Sequence, residues 1–126
     1  MFVYAPIFIA SYVIFLALLA GNVSRHRIGK QISLGDGGDK GLEKAIRAHA
    51  NALELMIPFM FLLLCYEAQK PSATWIISIG TAFGVARLFH AMGMLKRGMF
   101  RFRQLGAALS LLLTIGLAVL IIIGAL

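Results

Sequence analysis

Ala45-Ile46-Arg47-Ala48-His49-Ala50-Asn51-Ala52-Leu53-Glu54 lies inside the apolar run from Gly41 to Glu67. That run is long enough to cross a bilayer as a helix. Charge placed in hydrocarbon costs about 2.5–3.5 kcal/mol per residue on insertion scales. It persists there when it is paired, solvated or used. Arg47, Asn51 and Glu54 stand at i, i+4 and i+7, so one helix face carries all three. A polar stripe of that kind points into a bundle rather than at lipid.

The composition agrees. Of 126 residues, 60% are hydrophobic and 13% are charged, too apolar for a soluble domain of this size. The reading is a single polytopic membrane domain, residues 1–126, with an all-α fold. The first apolar run exceeds the length of a signal-peptide core and no small-residue cleavage site follows it, so it is expected to remain as a span. Cys65 is the single cysteine, which excludes an intrachain disulfide, and it reads as packing rather than as a nucleophile. The formal charge of +7 sits in short loops, the pattern of membrane topology and anionic headgroups. No soluble module with a basic, aromatic-interleaved face is present, so nucleic acid is not an expected partner.

Four apolar runs stand out, about 2–23, 42–66, 74–95 and 105–126. Each is near the roughly 20 residues a helix needs to span the hydrocarbon. The first connection, Ser24 to Lys40, carries Arg25, Arg27, Lys30 and Lys40. The second carries only Lys70, beside Pro71, and the third carries Lys96, Arg97, Arg101 and Arg103. The positive-inside rule therefore predicts cytoplasmic basic loops and both termini outside. Gly35-Asp36-Gly37-Gly38-Asp39 is turn chemistry, with Asp39 placed to cap the second helix. It has neither the ligand spacing of a calcium loop nor the Lys-Ser/Thr of a phosphate loop.

Topology brings more polar groups to the depth of the stripe. Arg47 lies roughly 8–9 Å and Glu54 roughly 18–20 Å from the start of span two. Arg87 and His90 are one turn apart on span three, roughly 9–13 Å back from Lys96. Arg103 opens span four at the same end. Three arginines around one carboxylate, with Glu43 nearby, leave excess positive charge that suits an anion. A small peptide with carboxylates and one free amine fits this set. An adjacent arginine would favour its thiol as the thiolate, the nucleophilic form. The ligand-free alternative is an internal Arg47–Glu54–Arg87 salt-bridge network that fixes helix register. His49 falls on another face and reads as packing. His49, His90 and Cys65 have no metal-ligand spacing, so no metal is expected. A small multidrug transporter would need a carboxylate in the first span, and residues 2–23 hold none. Gly80 and Gly84 form a small-xxx-small pair that predicts close packing, and a glycine near Arg87 leaves room for a ligand.

The Ala45–Glu54 stretch with Pro58-Phe59 resembles the second-helix signature of the MAPEG superfamily, the membrane-associated proteins in eicosanoid and glutathione metabolism. Arg87-Leu88-Phe89-His90 is similar to the family's third-helix motif, and Arg103-Gln104-Leu105-Gly106 to its fourth-helix start. The glycine-rich loop resembles that of small bacterial members, and the likeness runs along nearly the whole chain. It implies a left-handed four-helix transmembrane bundle, a homotrimer, and glutathione bound between subunits in the cytoplasmic half. It implies a glutathione-dependent transferase or peroxidase that detoxifies hydrophobic electrophiles in a bacterial inner membrane. The alternative is a non-enzymatic glutathione- or lipid-binding scaffold, since the family has a non-enzymatic member. By position, Arg47, Asn51, Glu54, Arg87 and His90 would contact glutathione. Arg103, or Arg101 in another branch's register, would stabilise its thiolate. Arg25 or Arg27 would reach the neighbouring subunit's ligand. Met94 stands where the family often has tyrosine, and Ala50 where one branch has a second arginine.

Overall fold

The computed structural model describes all 126 residues. It contains four α-helices, α1 (Tyr4–Lys30), α2 (Lys40–Ala68), α3 (Ala73–Leu95) and α4 (Phe100–Ala125), and no strand. All four are long and apolar enough to cross a membrane. In lipid a backbone must satisfy its own hydrogen bonds, and a helix does so within one segment.

Two helices outrun their apolar segments. α1 continues past Val23 to Lys30, and α4 begins at Phe100 rather than Leu105. Arginine and lysine end a hydropathic run but are good helix formers, so the helices carry on beyond it. Arg25, Arg27, Lys30, Arg101 and Arg103 are thus helical, and the first connection shrinks to residues 31–39. Gln31, in a left-handed conformation, ends α1. Arg27 then ties the loop down, its Nη1 donating to the carbonyls of Ile32, Ser33 and Gly35. Gly35, Gly37 and Gly38 take positive φ, as the turn reading requires. Asp39 caps α2, accepting from the Leu42 N–H at 2.8 Å, and pairs with Lys30 at 3.1 Å.

α2 and α3 each touch every other helix, whereas α1 and α4 do not meet. The core lies along the α2–α3 seam, where Phe59 stacks on Phe83 with ring centroids 3.6 Å apart. Tyr12 of α1 packs against both rings, and its hydroxyl donates to the Gly80 carbonyl. Gly80 and Gly84 receive aromatic side chains, Phe8 and Tyr12, rather than a second backbone. The close backbone approach occurs elsewhere. A Cβ on Gly93 would strike the backbone of Arg103, and one on Gly106 the backbone of Ala86 and His90. These two glycines seat α4 directly on α3.

The end of the bundle away from the basic loops is closed by Glu67. This buried carboxylate, 8% exposed, accepts from the N–H groups of Val3, Tyr4 and Ala5 at 2.7–2.9 Å. Those donors open α1 and have no partner within it. Gln69 adds a bond from its Nε2 to the Ile121 carbonyl of α4.

Candidate functional site

A cavity of about 470 Å³ opens at the basic end among α2, α3 and α4. α2 contributes the neighbours Glu43 and Lys44, with Arg47 one turn on and Asn51 two, a spacing that keeps them on one side of the helix. α3 contributes His90 and Met94, again one turn apart, and α4 contributes Arg103. Lys44, Arg47 and Arg103 thus face a single lining carboxylate, Glu43, whose nearest ion pair is to Lys40 at 3.2 Å. The volume falls in the range of small-ligand sites.

The contact of α3 with α4 at Gly93 and Gly106 brings Arg103 beside this cavity. Its Nη1 lies 3.8 Å from the Met94 sulfur, and its guanidinium carbon sits 4.7 Å from the Phe100 ring centroid. Asn51 is held from behind. Its Oδ1 accepts from Arg87 Nη2 at 2.8 Å, and the same nitrogen lies 3.3 Å from His90 Nδ1. Arg87 Nη1 reaches Ser110 Oγ at 3.5 Å.

The sequence profile of the MAPEG family matches residues 5–123. The chain belongs to the MAPEG family. This MAPEG chain is 36% identical over 102 residues to the inner membrane protein YecN of Escherichia coli K12, covering 77% of the chain and 76% of that relative. The YecN protein of Escherichia coli O6:H1 matches to the same extent. No solved structure matches significantly.

Of the residues that the motifs single out, the MAPEG fold gathers Arg47, Asn51, His90 and Arg103 around one cavity. The others lie elsewhere in the chain. Arg87 is 1% exposed and stands behind the wall, touching the cavity through Asn51 and His90. Glu54 is exposed on α2 and lines no part of the cavity, so the expected meeting of Arg47, Glu54 and Arg87 does not form within the chain. The alternative salt-bridge network fails for the same reason, since the only ion pairs are Lys30–Asp39 and Lys40–Glu43. Arg101 faces a separate groove with Gln104, Leu105 and Ala108. Arg25 donates to Asn22, and Arg27 is committed to the loop carbonyls. Neither reaches the cavity of its own chain. Cys65 is a half-buried free thiol.

The motifs left out Lys44, Ser110 and Glu67. Lys44 was discoverable, since it precedes Arg47 by three positions. Nothing local marks Ser110 or Glu67 for these roles, because Arg87 lies 23 residues from Ser110 and the N–H groups that Glu67 accepts from lie more than 60 residues away.

Proposed function

We infer that the chain is a glutathione-dependent membrane transferase or peroxidase for hydrophobic electrophiles. The observation that carries this reading is the cavity in which Arg47, Arg103 and Lys44 outnumber Glu43 beside Asn51 and His90. Glutathione presents carboxylates for the guanidiniums, an amine for Glu43, and amides for Asn51. Arg103 would stabilise the thiolate, which attacks an electrophilic carbon to form a thioether and expel the leaving group with its electron pair. Arg87 would act as a positioning residue, holding Asn51 and His90.

The same reading includes assembly. Glu54 stands roughly 21 Å along α2 from Lys40, in an apolar span, and is exposed. Lipid is a poor environment for it. In a homotrimer it would be covered, and Glu54 with Arg25 would serve a cavity across the subunit boundary. The relatives' description as inner membrane proteins supports an inner-membrane location, and the charge bias favours a cytoplasmic basic end with both termini outside.

A non-enzymatic binding scaffold is the second reading. Its support is the environment of Arg103, whose guanidinium is engaged by Met94 and Phe100, Met94 standing where the family resemblance implies a tyrosine. A titration of thiolate absorbance with bound glutathione decides between the two. The expected outcome is a thiol pKa below that of free glutathione, with Arg103→Ala slowing conjugation about 100-fold and Arg101→Ala leaving it unchanged. An ordinary thiol pKa, or full activity in Arg103→Ala, overturns the enzymatic mechanism. Calorimetric binding without turnover on a broad electrophile panel selects the scaffold.

A further inference from the structure

Arg87 meets three neutral side chains, and each turns a lone pair toward it. Its Nη2 donates to Asn51 Oδ1 at 2.8 Å and lies 3.3 Å from His90 Nδ1. Its Nη1 lies 3.5 Å from Ser110 Oγ, whose own proton goes to the Gly106 carbonyl at 2.7 Å. A guanidinium carries N–H donors and no acceptor. Any polar atom that bonds to it must therefore accept.

That settles two side chains which are ambivalent on their own. An asparagine amide has an oxygen end and a nitrogen end, and a neutral imidazole has one N–H and one lone pair. With Oδ1 turned to Arg87, Asn51 directs its amide nitrogen the other way. With Nδ1 accepting, His90 is neutral and carries its hydrogen on Nε2. Asn51 Nδ2 and His90 Nε2 make no hydrogen bond within the chain. Neither is a buried atom, since Arg87 Nε is the single buried side-chain polar atom left unpaired. Both residues line the polar cavity, so these nitrogens are open to what it holds.

The charged groups that share the cavity with them are Glu43, Lys44 and Arg47 on α2 and Arg103 on α4. Three of the four are donors, and Glu43 is the one carboxylate.

We propose that Arg87 sets the polarity of the α2–α3 wall, presenting Asn51 Nδ2–H and His90 Nε2–H as fixed donors to the acceptor atoms of an anionic ligand. His90 then serves as a hydrogen-bond donor and not as the base that takes a thiol proton. The ligand's identity rests on the proposed glutathione function: carboxylate and peptide oxygens meet this wall, and the ammonium meets Glu43.

Nitrogen NMR of the full chain in lipid nanodiscs, isotope-labelled at histidine and assigned with His90→Gln, reads the ring without any ligand. At neutral pH wild type is expected to show His90 as the Nε2–H tautomer alone. The amide of Arg87→Gln can donate or accept, so this variant is expected to release the ring into a mixture of both tautomers, and Arg87→Lys to restore the single form. A wild-type ring protonated at Nδ1, or a spectrum unchanged in Arg87→Gln, overturns the proposal. Calorimetry in the same nanodiscs reads the amide. Asn51→Asp keeps an oxygen facing Arg87, now as an ion pair, and replaces the outward N–H by a second oxygen. It is expected to weaken glutathione binding at least tenfold without lowering the thermal midpoint, a split that a purely structural role for the Arg87–Asn51 contact would not produce. Binding as tight as wild type overturns the proposal. If wild type binds no glutathione while His90 holds the Nε2–H form, the glutathione function fails and the polarity set by Arg87 stands.

Discussion

Glu67 shows how one side chain stabilises an element to which it does not belong. Its two oxygens serve three N–H groups at the start of α1, a helix with no side-chain cap of its own. A carboxylate at a helix N-terminus also meets the positive end of the macrodipole. Glu67→Gln is expected to cost about 1–3 kcal/mol, read as a lower thermal midpoint in detergent with faster hydrogen exchange at Tyr4 and Ala5. Exchange unchanged at those amides would remove this role. Asp39 provides the matching cap for α2. The Leu42 N–H, and then Lys30, hold its carboxyl below the ordinary value of 3.8. A carboxyl depressed in the folded state contributes stability above that value and loses it as pH falls through the lower, folded one. Wild type should therefore keep its stability margin over Asp39→Asn at pH about 6 and begin to lose it as thermal scans descend below pH about 4. A margin independent of pH would contradict the ionic cap.

Between helices, the position of glycine matters more than its presence. Gly93 and Gly106 lie where α3 and α4 touch backbone to backbone, whereas Gly29 of α1 has nothing near its missing Cβ. Gly106→Ala is expected to cost about 1–3 kcal/mol through overpacking, with loss of glutathione binding because Arg103 moves. Gly29→Ala is expected to gain up to about 1 kcal/mol by stiffening the unfolded chain. Paired thermal denaturation measures both, and equal effects would refute the assigned contact. The sequence pattern pointed instead to Gly80 and Gly84, which are real packing positions but accept the rings of Phe8 and Tyr12. A small-xxx-small spacing marks a groove in a helix surface without saying what fills it.

For the molecule as a whole, the placement of charge sets the terms. The cations line the basic end, where Arg47, Lys44 and Arg103 surround a cavity. Glu54 remains exposed within an apolar span, where an unpaired charge costs about 2.5–3.5 kcal/mol. The proposed trimer removes that cost. Native mass spectrometry is expected to show three chains for wild type and smaller species for Glu54→Lys. A wild-type monomer in lipid nanodiscs would rule the arrangement out. Hydropathy and charge are sums along the chain, so four spans, short connections, a basic end and the Arg47–Asn51 part of the polar stripe on α2 were legible in the amino-acid order, whereas the inward placing of Glu54 was not met. The helix ends were less so, because arginine and lysine stop an apolar run without stopping a helix, as at Lys30 and Phe100. Only the tertiary structure decided which polar groups share a space. It put Arg103 at the cavity, Arg87 behind its wall and Glu54 outside, and it found Glu67 a helix to cap. Those outcomes depend on how far each helix is rotated about its own axis. That rotation is set by packing between residues distant in sequence, such as Gly106 against His90, and not by any pattern within a single span.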